Sequence, residues 1–313
     1  MSRSGLSLLI PSYNHAKYVG QALDSVFSQT LCPDEVIVVD DGSTDGTLEV
    51  LEGYADRARI LARPHRGIGE TYNEAVQEAR CELIAFLESD DSLEPGYLEQ
   101  CVRFLERNRQ FSWVSAARRI VDASGGSTGR IVGKRTPGPA FTTEGFLLKD
   151  MGTSWTPVVA KEALQRVGPF VTHTHAADSE MALRFSLHFG MGFLNRPLYR
   201  YRRHDSNISG AALRDTRELL EILRRFSESE TDYVKKHEKV VRCAIAKMAG
   251  RVGSLMLIEE AAPAHDEVLA LFREAVHNDP LNWRHLRRYI TTAALGTRLT
   301  SGAKRWLGRL PFS

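Results

Sequence analysis

Over the first ninety residues, short apolar runs alternate with stretches of helical periodicity. Leu6–Ile10 is an apolar run, interrupted only by Ser7 and closed by Pro11, the pattern of a buried parallel strand. From Tyr18 to Ser28, residues Val19, Ala22, Leu23, Val26 and Phe27 share one helical face. Glu35–Asp40 is rich in β-branched residues and runs into paired carboxylates. Thr44–Tyr54 reads as a helix with Ser43 or Thr44 as its cap. Ile60–Ala62 is a weak strand, Gly69–Ala79 a helix, and Leu83–Leu87 a strand that again runs into acids. Ser112–Val121 predicts a further strand. The Gly-, Ser-, Thr- and Pro-rich stretch Ser124–Gly138 predicts a long mobile loop of the lid kind.

Strand and helix in strict alternation predict an α/β fold with a mainly parallel sheet. The acids fall just past the strand ends, the edge where open α/β sheets bind ligands. From about Leu213 the pattern turns helical, over Arg214–Ser227, Asp232–Ile258 and Asp266–His277, so a domain change is expected near Gly210. The last segment is distinctive. After Asp279 no acid occurs, while Arg284, Arg287, Arg288, Arg298, Lys304, Arg305 and Arg309 gather beside Trp283, Tyr289 and Trp306. That composition suits a surface-seeking basic helix for anionic lipid, or packing on a second subunit.

Composition narrows the function. A net charge of +2 over 313 residues is too small to argue for nucleic acid as partner. Cys32, Cys81, Cys101 and Cys243 are scattered without metal-ligand spacing, as free thiols in a reducing compartment would be. No window has the apolar length of a membrane span and no leader pattern opens the sequence. A cytoplasmic protein is expected, with any contact to the inner membrane peripheral.

Four clusters carry chemistry. In the first, Pro11-Ser12-Tyr13-Asn14 and Asp40-Asp41-Gly42-Ser43-Thr44-Asp45 close two neighbouring strands. There an aromatic ring can face a base and a carboxylate can accept from its edge; turn chemistry that caps a helix is the plainer alternative. The second is Glu88-Ser89-Asp90-Asp91, whose like charges invite a hard divalent cation. A third, Asp178-Ser179-Glu180, opens a helix, where Asp178 serves equally as an ordinary N-cap. The fourth is Arg202-Arg203-His204-Asp205, suited to a diphosphate or else a solvated basic loop.

Taken in order, these motifs resemble the family 2 glycosyltransferases, inverting enzymes of the GT-A fold. Arg66-Gly67-Ile68-Gly69 with Asn73 and Gly168-Pro169-Phe170 add to the likeness, which spans the first two-thirds of the chain. The resemblance implies a Rossmann-like mixed, mainly parallel sheet flanked by helices, with a helical C-terminal appendage. Residues 1–210 would be the GT-A domain, with a nucleotide-sugar half over about 1–110 and an acceptor half over about 111–210. Residues 211–313 would be helical and end in the basic tail. Pro11, Ser12, Tyr13, Asn14, Asp41, Gly67, Asn73, Ser89 and Asp90 would then hold the nucleotide. Asp90, Glu88, Asp91 and His204 would hold Mn²⁺ or Mg²⁺. Arg202, His204, Trp155 and Glu180 would face the diphosphate and acceptor, and Asp178 would be the catalytic base.

The donor implied is a UDP-sugar, with dTDP next. The acceptor implied is a glycan or lipid-linked hydroxyl of a surface polysaccharide such as lipopolysaccharide or capsule. Glu88 stands where Asp is commoner in the family, and Ala177 where a second acid is frequent. The Gln-x-x-Arg-Trp motif of processive synthases is missing, so single additions are expected. Two other readings fit parts of the pattern: a sugar nucleotidyltransferase, and a degenerate transferase domain that only binds nucleotide sugars.

Overall fold

The computed structural model describes residues 5–133, 140–150, 156–205, 207, 212–229, 231–260 and 263–295. It divides into two compact units, Met1–Phe146 with Thr153–Asn207, and Leu147–Gly152 with Ile208–Ser313.

The first unit opens with β1 (Leu6–Ser12), α1 (Val19–Phe27), β2 (Glu35–Asp40), α2 (Thr47–Glu52), β3 (Arg59–Ala62), α3 (Ile68–Glu78) and β4 (Leu83–Phe86). β1 is buried along its whole length because strands flank it on both sides, β2 and β4, each parallel to it. α1 places Val19, Ala22, Leu23 and Val26 on the sheet, the face that its periodicity marks out. Neither Ser43 nor Thr44 caps α2, which starts later, from Gly46 at φ 92°. Both are drawn off by better local partners: Ser43 donates to Asp40, and the Thr44 N–H donates to Asn14 Oδ1 at 2.8 Å.

The unit continues with β5 (Ser92–Leu93), α4 (Tyr97–Arg107), β6 (Phe111–Val121), β7 (Ser127–Val132), β8 (Ala140–Phe141), the single turn α5 (Thr143–Gly145), β9 (Val158–Ala160), α6 (Lys161–Val167), α7 (Ala177–His188) and β10 (Gly190–Arg202). Along the sheet the order is β3-β2-β1-β4-β9-β6-β10-β5, with β7 on β6 and β8 on β10. β9 runs antiparallel to both β4 and β6, so the sheet is parallel at its start and mixed beyond. The expected loop at Ser124–Gly138 is largely a hairpin instead. Asp122 turns the chain by accepting from Ser124 and Gly126, and β7 then pairs with β6. The part from 134 lies outside the described residues.

The strand order reverses at β1, whose neighbours are β2 on one side and β4 on the other, both parallel to it. At such a switch point a crevice opens past the carboxyl ends of the strands. Tyr13–His15, Asp40–Asp45 and Glu88–Asp91 all sit there.

The second unit contains α8 (Ala212–Glu228), α9 (Asp232–Lys236), α10 (Glu238–Glu259), α11 (His265–Asn278) and α12 (Trp283–Leu295). The single helix expected over Asp232–Ile258 is broken at His237, which leaves helical geometry (φ −120°, ψ 28°) and stacks on Tyr233. α10 is the central rod, with Val241, Ile245, Met248, Val252 and Met256 buried. Arg224 forks onto Glu274, tying α8 to α11. α12 buries His285 and Thr292 but leaves Trp283 61%, Leu286 42% and Ile290 55% exposed. The tail residues Arg298, Lys304, Arg305, Trp306 and Arg309 lie outside the described residues. Among the described residues, no helix is long and apolar enough to cross a membrane.

Candidate active site

The end of β1 is held by an unusual turn. Asn14 takes a left-handed conformation (φ 53°), which its short amide side chain tolerates. Its N–H donates to Ser43 Oγ at 2.8 Å, so the ends of β1 and β2 are locked together. Tyr13 projects to the rim, 37% exposed and stacked on His65 at 4.4 Å. Ser12 is buried, as is Pro11 within β1.

Asp41 is buried at the end of β2 and accepts from the backbone N–H groups of Arg66 and Gly67 at 2.7 and 2.9 Å. His65 Nδ1 lies 2.8 Å from the same carboxylate. The turn needs Gly67 at φ 95°, from which α3 starts. Two residues further, α3 meets the segment after α6 so closely that a Cβ on Gly69 would lie 2.1 Å from the Val171 carbonyl oxygen. Asn73 seals that contact. Its amide donates to the Phe170 carbonyl at 2.9 Å and accepts from the Phe170 N–H at 2.7 Å. Both ends of Asn73 are therefore taken by protein, and the residue expected at the nucleotide fastens Gly168–Phe170 instead.

The acidic run after β4 separates into three environments. Glu88 turns inward to the hydroxyl of buried Tyr72, and burial lifts its carboxyl to about 8. Asp91 is buried too, accepting from Tyr199 Oη at 2.8 Å and from the Arg202 N–H at 2.7 Å. Burial and then the charge of Asp90 push it well above the usual carboxylate range. Asp90 alone faces histidines. Burial would raise it, but the hydrogen bond from His204 and the positive charge of His15 hold it below its ordinary value.

Asp90 Oδ2 lies 3.1 Å from His204 Nε2 and 3.8 Å from His15 Nε2, and the three groups form a metal-competent cluster. Neither Glu88 nor Asp91 is brought to it. Asn207 Nδ2 donates to Asp90 Oδ2 at 3.0 Å and lies 3.1 Å from His204 Nε2, so it joins the two groups. A carboxylate held ionised beside imidazole nitrogens fits a divalent cation. Burial lowers His15 below its ordinary value, which favours the neutral, ligating form.

Arg202 is the last residue of β10, not part of a solvated loop, and it is 2% exposed. Its guanidinium donates to the carbonyls of Asp90 (2.8 Å) and Ala123 (3.1 Å) and to Gln21 Oε1 (2.8 Å). With three of its five N–H donors engaged by the protein, it braces the acidic turn. Ser89 is likewise buried, its hydroxyl 2.7 Å from His15 Nδ1.

Asp178 lies in the first turn of α7, but the cap position is Ala176, so the ordinary capping role does not apply. Its charge helps to raise the Tyr72 hydroxyl and the Glu88 carboxyl, so it lies near both. Glu180 is forked by Arg184 at 2.6 and 2.8 Å, and the same guanidinium holds the carbonyls of Val167 and Pro169. Glu180 thus steadies the loop before α7. Trp155 lies outside the described residues.

Sequence reading passed over His15, Tyr72 and Tyr199. His15 carried one signal, an imidazole placed just past a strand end. Its meeting with Asp90 and His204 is purely tertiary.

The sheet order, the crevice and the acidic turn define a nucleotide-dependent transferase fold of the GT-A type. Residues 7–158 match the family model of glycosyl transferase family 2, and that part of the chain is a domain of this family. It is 29% identical to the glycosyltransferase-type protein EpsH of Bacillus subtilis (strain 168) over 219 residues, 66% of this chain and 63% of that one. Over 123 residues it is 38% identical to a chondroitin synthase of Pasteurella multocida (strain Pm70), covering 38% of this chain and 13% of the synthase. The chain thus spans under two-thirds of these relatives' lengths. Its fold matches S. aureus TarS 1–349 with a TM-score of 0.66 at 17% identity, over 93% of this chain and 92% of that one. The mannosyltransferase PcManGT of Pyrobaculum calidifontis, solved with GDP-Man and Mn²⁺, matches with a TM-score of 0.57 at 18% identity, over 95% and 88%.

Proposed function

We propose that the protein transfers one sugar from a nucleotide-diphosphate sugar to a hydroxyl of a glycan or lipid-linked acceptor of a bacterial surface polysaccharide, inverting the anomeric centre. The observation that carries this reading is the Asp90 carboxylate, bracketed by His204 and His15 at the mouth of the switch-point crevice. UDP is the preferred nucleotide and dTDP the next. Solved structures of similar fold, one with UDP-GlcNAc and one with GDP-Man and Mn²⁺, support a nucleotide-sugar donor.

In this reading Tyr13 offers its ring face to the base at the rim, while Asp41, fixed by two backbone N–H groups, accepts from the base edge. Asp90 and His204 would hold Mn²⁺ or Mg²⁺, which supplies positive charge opposite the diphosphate. Asp178 accepts the proton of the acceptor hydroxyl as that oxygen attacks the anomeric carbon. Glu88, kept neutral by burial, adds no charge beside Asp178. Residues 1–210 form the catalytic part in this scheme. The exposed Trp283, Leu286 and Ile290 beside Arg284 and Arg287 would hold the protein on the cytoplasmic face of an anionic membrane.

The test is nucleotide release from UDP-, dTDP- and GDP-sugars with Mn²⁺ and acceptor glycans. Release with sugar transfer is expected, and Asp90→Ala should abolish metal-dependent nucleotide binding while melting stays near wild type. Full activity in excess EDTA contradicts the metal-dependent scheme. Pyrophosphate release from nucleoside triphosphates would point to a nucleotidyltransferase.

A further inference from the structure

His15 is the one member of the Asp90 cluster that the transfer scheme leaves without a task. It is as enclosed as its partner: the side chains of His15 and Asp90 are each 13% exposed. Its position is fixed on three sides. The His15 N–H donates to Thr47 Oγ1 at 2.9 Å, its carbonyl receives the N–H groups of Tyr18 and Val19 where α1 begins, and the left-handed Asn14 precedes it. The ring is oriented too. Nδ1 meets buried Ser89 Oγ at 2.7 Å, and Nδ1–H donation to that hydroxyl leaves the Nε2 lone pair on the Asp90 side.

His204 mirrors this arrangement. Its ring stacks on Tyr18 at 4.5 Å and stands edge-on to His15 at 5.8 Å. Its side chain is 3% exposed, and its Nε2 also points to Asp90 Oδ2. The three ligand atoms lie within 4.8 Å of one another. Adjacent donors on a six-coordinate ion with bonds near 2.1 Å stand about 3 Å apart. The His204–Asp90 spacing of 3.1 Å already meets that, and His15 at 3.8 Å needs a closure of under about 1 Å.

We propose that His15 is a third protein ligand, so that the chain presents two imidazoles and one carboxylate, and that this set makes the site prefer Mn²⁺ to Mg²⁺ and retain it without nucleotide. The proposal rests on the metal reading of the preceding section and adds a ligand and a selectivity to it. Mg²⁺ demands oxygen ligands and gives up its waters reluctantly, whereas Mn²⁺, a softer ion of the first transition row, accepts imidazole nitrogen beside carboxylate more readily. A site with three protein donors holds the ion before a diphosphate arrives. One built on carboxylate alone waits for the substrate's oxygens.

The test is an EPR titration of Mn²⁺ into the nucleotide-free full-length protein, with Mg²⁺ competition. Wild type should bind Mn²⁺ in preference to Mg²⁺. His15→Ala should weaken Mn²⁺ by about tenfold or more, a typical cost of losing a metal-site partner, and leave Mg²⁺ little changed. Pulsed EPR on the unmutated, Mn²⁺-loaded protein should show two coupled histidine nitrogens, which keeps the test independent of how the variant folds. If His15→Ala retains wild-type Mn²⁺ affinity and selectivity while Asp90→Ala loses the ion, or if one nitrogen is seen, the His15 assignment is overturned and the metal site stands. If wild type binds no Mn²⁺, or Asp90→Ala binds it unchanged, the metal reading falls and the His15 assignment with it.

Discussion

Asn73 and Phe170 are joined twice, the Asn73 amide donating to the Phe170 carbonyl and accepting from its N–H. This side chain works as an extra backbone unit, closing a gap between α3 and the segment after α6 that neither could close alone. Gly69 lets the two come that near.

Removing the bridge leaves a donor and an acceptor of Phe170 without partners, each costing about 1–3 kcal/mol where it stays buried. Asn73→Ala should therefore lower stability in urea by that order while nucleotide affinity changes little. A large loss of UDP affinity with unchanged stability would restore Asn73 to the nucleotide.

Glu88 gives a pH dependence with a definite sign. Its folded value of about 8 lies above its ordinary 4.5. Between those values the unfolded chain has released the proton that the folded chain still holds, so stability falls as pH rises from about 4.5 to 8. Glu88→Gln keeps a neutral partner for Tyr72 and removes this slope. Its melting temperature should match wild type near pH 5 and exceed it by a few degrees at pH 8. Parallel curves for the two proteins across this range would show that Glu88 is not held neutral.

Asp178→Asn separates a base from a structural residue. With the cap position at Ala176, Asn at 178 disturbs no cap. Melting and donor binding should stay near wild type, and transfer should drop by roughly 10²–10⁴-fold. Near-normal turnover in a coupled nucleotide-release assay would move the base elsewhere.

The apolar stripe of α12 predicts surface binding. Full-length protein should sediment with phosphatidylglycerol vesicles at low salt, and the effect should fade as salt screens Arg284 and Arg287. Trp283→Ser with Leu286→Ser and Ile290→Ser should abolish it. A wild-type protein that ignores such vesicles at low salt has another use for this helix.

Much of the architecture was legible along the chain because burial writes itself into composition. β1, β2 and β4 are predominantly apolar runs since both their faces are covered, and α1 and α3 carry the stripe that meets the sheet. The hairpin at β7 hid behind turn-forming residues, since its ladder is written in backbone pairing with β6 rather than in hydrophobic alternation; Ser127–Arg130 and Ile131 are all exposed. The break at His237 hid in the opposite way, inside a sequence that suits a helix throughout.

For the site, the sequence by itself determined where the acids and the histidine lie, at strand ends on the ligand edge, because the alternation of strand and helix dictates that edge. Which acid does what was decided only by tertiary structure. Glu88, Asp90 and Asp91 are near-equivalent in sequence. Their chemistry diverges because β10 arrives antiparallel to β5 and delivers Tyr199 and Arg202 to Asp91, while α3 delivers Tyr72 to Glu88. Asp90 is left to the two imidazoles brought in from the end of β1 and from beyond β10. Electrostatic character depends on neighbours within a few ångströms, and those neighbours come from segments that the chain order keeps far apart.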